Sequence, residues 1–291
     1  MIMRLEILTP AKINLYLDVL DRMENGYHNI ESVMQSVSLY DKITLEIDGD
    51  AEPSCSILSN DASVPLDKTN LVYRAYLRFF EKTGITSPKC VFHIEKSIPI
   101  AAGMAGGSAD GAGALILLNR AFASPLTSDE LLALGAGLGA DIPFCLTQGT
   151  AICKGIGDKI TPLPSLKDVY IVSAIDNSSV STPEAFSMLD SRFGLNSTPH
   201  GKLDAICEAI ALNDLHKLSS LLYNKFESVI EESNESVTKI KAVMRDSGAL
   251  GALMSGSGPS VFGIFENEES QMRALSSLLA LGIRAYACKT V

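Results

Sequence analysis

The sequence predicts an α+β protein in two parts, and three observations carry that prediction. Short β-type runs alternate with turns over the first third of the chain, while runs of helical periodicity dominate the second half. A proline- and glycine-bearing stretch at residues 155–168 (GIGDKITPLPSLKD) lies between them. The expected division is an N-terminal domain over residues 1–163 and a C-terminal domain over residues 164–291.

Residues 12–20 (KINLYLDVL) alternate apolar and polar side chains as a half-buried strand does, and Asn25-Gly26 marks the turn that follows. Runs at 33–39, 42–47 and 91–95 are further strands. Residues 70–81 repeat apolar side chains at helical spacing, with Thr69 as the expected cap. The glycine-rich run at 101–113 passes into a helix at 114–121. Thr127 and Glu130 have capping-box spacing and open a helix to Leu138; Asp141-Ile142-Pro143 ends it, because the residue before a proline avoids the helical region. Strands are expected at 150–154 and 168–175, then helices at 182–189, 203–212, 215–223 and 236–245. Strands at 250–254 and 260–265 flank the loop SGSGP, and a helix at 268–281 and a strand at 284–288 follow.

Of the 291 residues, 46% are hydrophobic and 20% charged, which excludes wholesale disorder. Twenty-four basic residues against thirty-four acidic ones leave a formal charge of −10, a field that repels nucleic acid and anionic membranes. An anionic small molecule stays admissible, since a pocket can be locally positive on an acidic surface. The longest apolar stretch (AGALILL, residues 112–118) is far shorter than a membrane span, and the first residues lack the pattern of a signal peptide. Six scattered cysteines form no CxxC pair, and no histidine stands at zinc-ligand spacing. The expectation is a cytoplasmic protein with reduced thiols and neither nucleic-acid nor membrane partners.

The strongest chemical signal is the run at 98–113 (IPIAAGMAGGSADGAG) ahead of a helix. Gly103, Gly106 and Gly107 let backbone N–H groups approach a ligand closely. A helix starting there adds unpaired N–H groups and the positive end of its dipole, a cradle for phosphate. Ser108 adds a hydroxyl for a phosphate or a bound magnesium ion. No Gly-Lys-Ser/Thr follows, so this is not a P-loop, and the glycines also fit tight helix–strand packing. Lys12 and Asn14 stand two apart on one face of a strand, Asp141 sits among apolar residues in LGADIPF, and MSGSGPS (254–260) joins two strands. Singly, these read as a solvated lysine, a helix C-terminal turn and a hairpin loop; together and in this order they form a pattern.

That order resembles the GHMP kinase superfamily, whose three motifs match residues 10–15 (PAKINL), 99–112 and 253–260. The stretches NGYHNIES (25–32), AAGMAGGSADGA (101–112) and LGADIPF (138–144) resemble, within it, the branch acting on a cytidine diphosphate-linked methylerythritol. Met104 stands where a leucine is usual, and Ala109-Asp110 varies a serine-rich segment. The resemblance implies a two-domain GHMP kinase fold with a ribosomal-S5-like N-terminal domain and a ferredoxin-like C-terminal domain. It further implies ATP as phosphoryl donor, Mg2+ as its companion, and a tertiary 2-hydroxyl as acceptor. Asp141 matches the catalytic residue that takes the hydroxyl proton, and Lys12 the neighbour that keeps it ionised and offsets phosphoryl charge.

By the same resemblance, Pro99, Ala101, Gly103, Ala105 and Gly106 border the ATP phosphates, as do Gly107, Ser108 and Ala109. Asn70 and Lys96 lie toward the adenine and ribose. Tyr27 and His28 supply the ring and edge contact for the cytosine, and Asn14 faces the methylerythritol end. Phe186 is either a second face for the base or an ordinary core aromatic, with Thr182 a contact nearby. Gly256, Ser257 and Gly258 abut the phosphates or the substrate. No glutamate stands out as partner to the motif serine, so the metal has no assigned protein ligand. The rival readings are a GHMP kinase for homoserine or mevalonate, a decarboxylase, and a non-catalytic nucleotide-binding regulator. The GYH element argues against the first, the lack of an arginine near Asp141 against the second, and intact Lys12 and Asp141 against the third.

Overall fold

Two 21-residue strands, β1 (Ile2–Arg22) and β2 (His28–Asp48), replace the three shorter ones that alternation predicts. Neither glycine nor proline separates residues 33–39 from 42–47, so the backbone has no reason to leave the ladder at Tyr40-Asp41. Gly26, at φ +87°, forms the expected turn between the strands, its N–H donating to the Met23 carbonyl at 2.9 Å. The structure, a computed structural model, describes residues 2–176, 180–194 and 201–291. It divides into two compact units interleaved along the chain. The first holds the N-terminal residues to Ala11, Leu39–Ile100 and Ala105–Thr147; the second holds Lys12–Ser38, Ala101–Met104 and Gln148–Val291.

In the first unit the end of β2 pairs antiparallel with β4 (Lys89–Glu95), which pairs parallel with β3 (Ser54–Ser59), a strand the alternation did not disclose. Four helices follow: α1 (Leu71–Thr83), α2 (Gly106–Ala121), α3 (Ser128–Ala136) and α4 (Ile142–Thr147). Asn70, not Thr69, caps α1: its Oδ1 accepts from the Val72 N–H at 2.8 Å, while the Thr69 hydroxyl donates to Asp67 at 2.6 Å. The capping box at Thr127 and Glu130 forms as its spacing predicts. Helix α4 is the element that the proline obscured. Pro143 stands in its first turn, where the missing N–H has no intrahelical partner to lose.

Helix α2 begins at Gly106, ahead of the expected residue 114. Its glycines are packing devices: a Cβ at Gly113 would lie 2.6 Å from Thr9 Cγ2, and one at Gly111 3.1 Å from Leu71 Cβ. Close helix packing offsets the conformational entropy that glycine brings to a helix interior.

The second unit opens with β5 (Thr150–Gly155), antiparallel to β2 from Ile30↔Gly155 to Gln35↔Thr150, and β6 (Lys159–Pro162) beside it. Next come β7 (Tyr170–Ile175), α5 (Thr182–Phe193), α6 (Leu203–Ala211) and α7 (Leu215–Leu221). The two-residue β8 (Tyr223–Asn224) pairs parallel with β1 at Tyr16 and Leu17, so the helix expected to Tyr223 stops short. Then follow α8 (Glu227–Ile230), α9 (Glu235–Asp246), β9 (Gly251–Met254), β10 (Val261–Phe265), α10 (Glu268–Ala280) and β11 (Arg284–Lys289). Strands β11-β7-β10-β9 form an antiparallel sheet in that order, the β-α-β-β-α-β plan of a ferredoxin-like domain. Its core joins Val172, Met254, Val261 and Phe265 of the strands to Ile240 and Met244 of α9 and Leu278 of α10.

In the first unit, Phe79 is wholly buried and packs edge-on to Phe80 at 5.3 Å and tilted against Phe122 at 6.0 Å. Phe79→Ala is expected to lower stability by about 3–5 kcal/mol, read from the urea midpoint.

Candidate active site

The glycine segments that the sequence places far apart meet within the second unit. Gly103, at φ +72°, lies so close to Ser255 that a Cβ there would fall 2.2 Å from the Ser255 carbonyl oxygen. Gly256, at φ +59°, returns the contact, its Cβ position 3.1 Å from Gly103 Cα. The Ser255 hydroxyl donates to the Gly103 carbonyl at 3.1 Å, and the Lys12 N–H donates to the Met104 carbonyl at 3.1 Å. Backbone thus packs on backbone, a spacing that the bare Gly103 and Gly256 allow.

Lys12, buried on β1, points its ammonium into this crossing. Nζ donates to Asn14 Oδ1 at 2.6 Å and lies 3.4 Å from the Cβ position of Gly256. Asn14 Oδ1 also accepts from the Gly256 N–H at 3.0 Å, and Asn14 Nδ2 donates to Ser32 Oγ at 2.8 Å. Asn14 was expected to face the methylerythritol end of a substrate. Its carboxamide instead turns inward, 1% exposed, and bonds the protein's own groups. The hydroxyls of Ser257 and Thr182 lie 2.8 Å apart, so these two expected contact residues do come together.

Asn224 is a residue that sequence reasoning missed. Its Nδ2 donates to the carbonyls of Met254 at 2.7 Å and Gly256 at 2.8 Å, holding the 254–256 backbone by its carbonyls while Asn14 holds it by the Gly256 N–H. Glu227 adds a third tie, accepting the Met254 N–H at 2.8 Å; burial raises its carboxyl above the usual range, and the Lys241 charge opposes that. Nothing in the local pattern marks Asn224, since its partners lie thirty residues away.

A second cluster in the same unit surrounds His28. Its imidazole stacks on the Phe186 ring, centroids 4.4 Å apart and planes 13° from parallel, and Phe186 meets Phe226 edge-on at 4.9 Å. One face of Phe186 is therefore occupied by His28 rather than open to a base. His28 Nε2 lies 2.8 Å from Asp190 Oδ1, and Arg22 reaches Asp190 Oδ2 at 3.3 Å. Tyr27 beside it is 61% exposed, with its N–H donating to Asn25 Oδ1 at 3.1 Å.

In the first unit, α2 starts from Ala105 at φ +57°, and no side chain caps its first turn. The leading N–H groups of Gly106, Gly107 and Ser108 are thus left for a ligand, and the donor set suits an anion. Gly107 is exposed, with no atom nearer its Cβ position than Leu71 Cδ1 at 4.0 Å, whereas Pro99 and Ala109 are buried and Ala101 is exposed at φ +53°. Beneath that turn, the Lys96 ammonium pairs with Asp41 and with Asp110 Oδ2 at 2.8 Å, and lies 3.1 Å from the Cβ position of Gly106. Asp41 Oδ1 accepts the N–H groups of Ser97 at 2.7 Å and Ile98 at 2.9 Å. Lys96 and Asn70 thus engage the protein with their side-chain polar groups, Lys96 in this ion cluster and Asn70 in the cap of α1. Desolvation pulls the Lys96 pKa down, but Asp110 and Asp41 outweigh it and the net shift is upward. Burial pushes the Asp110 carboxyl up to about 7, against the Lys96 charge. Asp141 stands half-buried just before α4, its carbonyl accepting the Cys145 N–H at 3.0 Å. Its carboxylate has no hydrogen-bond or ion-pair partner among the described residues of its own unit. Among the described residues no three His, Cys, Asp or Glu side chains gather to hold a metal.

The family descriptions "GHMP kinases N terminal domain" and "GHMP kinases C terminal" match residues 70–149 and 204–284. The chain is 42% identical to a 4-diphosphocytidyl-2-C-methyl-D-erythritol kinase of Lachnoclostridium phytofermentans, over 91% of this chain and 89% of the relative. It is 38% identical to the enzyme of that name from Clostridium tetani, over 99% of this chain and 100% of that one. A crystal structure of 4-(cytidine 5'-diphospho)-2C-methyl-D-erythritol kinase superposes with a TM-score of 0.78 at 31% identity, covering 98% of this chain and 99% of that one. A homoserine kinase from Cytophaga hutchinsonii reaches the same TM-score at 18% identity, over 99% of this chain and 94% of its own, which is likeness of fold.

Two outcomes follow from the site's geometry. Gly103→Ala should destabilise by about 1–3 kcal/mol, since it combines a positive φ with a backbone clash, whereas Gly107→Ala at the open start of α2 should be neutral or stabilising; thermal melts compare the two. Asp110 holds its proton more tightly folded than unfolded, so stability present at low pH is lost as pH rises from about 4 toward the raised value. Asp110→Asn should flatten that decline, measured by urea unfolding across the same range.

Proposed function

The chain belongs to the GHMP kinases, in the branch of the 4-diphosphocytidyl-2-C-methyl-D-erythritol kinases, and from that premise we propose how its residues phosphorylate the 2-hydroxyl of 4-diphosphocytidyl-2-C-methyl-D-erythritol. It is an ATP-dependent kinase, and the reaction belongs to the non-mevalonate route to isoprenoid precursors. The observation that carries the reading is the 42% identity extending across 91% of the chain. The two family matches, at residues 70–149 and 204–284, lie one in each of the proposed domains 1–163 and 164–291, although the compact units of the fold are interleaved and do not divide at that point.

In this reading Asp141, with its carboxylate unengaged in its own unit, accepts the proton of the attacking hydroxyl. Lys12, its ammonium aimed by Asn14, offsets charge on the transferring phosphoryl group. Positioning and charge stabilisation dominate such a transfer, so the fixed ammonium matters as much as the base. The uncapped start of α2 takes the ATP phosphates through Gly106, Gly107 and Ser108, supported by the free donors there. Magnesium, when bound, screens the phosphate charge. The Ser108 hydroxyl would be the protein group to hold the ion or a phosphate oxygen. Tyr27 and His28 take the cytosine, and Ser257 with Thr182 stands by the remainder of the substrate. Lys96 and Asn70 act by shaping the ATP side rather than by offering free side chains. A cytoplasmic location accords with six free cysteines.

ADP release with ATP, magnesium and each of three acceptors (the cytidyl-methylerythritol compound, homoserine, mevalonate) tests the assignment. Turnover is expected with the cytidyl compound only, and Asp141→Asn and Lys12→Ala should each lower kcat by about 10²–10⁴-fold. Turnover with another acceptor, or none with any, would contradict it.

A further inference from the structure

The proposed base site contains an ion cluster for which the reaction itself supplies no reason. Asp190 lies on α5 one turn beyond Phe186, on the same helix face, so a single helix presents a ring that stacks on the His28 imidazole and a carboxylate that meets its edge. Phe186 fixes the plane of the imidazole. Asp190 Oδ1, 2.8 Å from Nε2, fixes its rotation within that plane. A carboxylate oxygen accepts, so in this hydrogen bond Nε2 is the donor. Arg22 holds the other Asp190 oxygen at 3.3 Å, and its Nε donates to the Gly26 carbonyl at 3.4 Å, which ties the carboxylate to the turn preceding Tyr27 and His28. The His28 side chain is 8% exposed, and Nδ1 has no partner among the described residues.

We propose that Asp190 is a positioning residue that sets base specificity: by claiming the Nε2 proton of the neutral imidazole it leaves His28 Nδ1 as a fixed hydrogen-bond acceptor. The inference rests on the reading of His28 as the edge contact for the base. An acceptor at that position matches the exocyclic amino group of cytosine, a donor. It repels the carbonyl oxygen that uracil carries at the same place. A histidine free to exchange tautomers accommodates either base, because moving one ring proton turns the acceptor into a donor. The carboxylate removes that freedom, much as the second partner of a metal-bound histidine fixes which nitrogen is free. Specificity then comes from the acceptor that remains. Sites built around a buried hydrogen-bonding group reject the mismatched partner strongly, because the group is left unpaired.

The test compares kcat/KM for the cytidine diphosphate-linked acceptor with that for its uridine counterpart, in the wild type, Asp190→Ala and Asp190→Asn. The wild type should favour cytidine by about 10²-fold or more. Asp190→Ala should lose at least tenfold of that preference through the acceptor KM, with the KM for ATP unchanged. Asp190→Asn keeps an oxygen for the Nε2 proton and should retain most of the preference, so the comparison survives if the alanine variant folds poorly. Nitrogen-15 NMR of the free wild type should find His28 as the Nε2–H tautomer. An Nδ1–H tautomer, or a cytidine-to-uridine ratio that stays within twofold of wild type in a folded Asp190→Ala, overturns the inference while leaving the kinase assignment standing. A wild type inactive on the cytidine compound overturns the assignment beneath it.

Discussion

The second unit depends on one close approach, that of the Gly103 backbone to the carbonyl of Ser255. A methyl group at Gly103 would lie 2.2 Å from that oxygen, so the two segments meet only because Gly103 carries no side chain at the crossing. Once they meet, the remaining contacts have fixed places. The Ser255 hydroxyl reaches back to Gly103, Gly256 gives its N–H to Asn14, and Asn224 takes the carbonyls on either side of Ser255. The ammonium of Lys12 comes to rest on the same Asn14 oxygen. A buried network of this kind rigidifies its members when every group is satisfied, and a transferring phosphoryl group needs a charge that does not have to be reoriented during the reaction.

The first unit solves a different problem with a buried charge. Lys96 lies beneath the opening turn of α2 between two aspartates, one of which also accepts two backbone N–H groups from the segment leading to the glycine run. The cluster binds the end of β4, the middle of β2 and the first turns of α2 into one piece. One oxygen of Asp110 has no hydrogen-bond partner, and burial keeps that carboxyl inclined to hold its proton. The arrangement holds the opening turn of α2, with its uncapped N–H groups, against β2 and β4.

Much of this was legible in the sequence because it depends on local chemistry. The capping box at Thr127 and the turn at Gly26 follow from spacing and turn residues, and the ferredoxin-like plan of the C-terminal strands and helices from the family resemblance. The glycine run held two meanings at once. Gly103 serves a close backbone approach, Gly107 stands at an open helix start, and Gly111 and Gly113 serve helix packing, which is why the helix begins ahead of the expected residue. Helix α4 escaped notice because Pro143 reads as a stop until its place in a first turn is known. The roles of Asn14, Asn224 and Asp190 depend on partners distant in the chain, and no periodicity reports those. Asn14 and Lys96, read from the sequence as contacts to substrate and nucleotide, bond the protein's own framework with their side chains.

The central claim is that the Asn14 carboxamide aims the Lys12 ammonium at the reacting phosphoryl group, and the phosphoryl-transfer rate of Asn14→Leu tests it most directly. Leucine keeps the volume and removes the acceptor, so the account predicts a kcat lower by about 10²-fold with the KM for ATP nearly unchanged. A folded Asn14→Leu enzyme with undiminished kcat would contradict it.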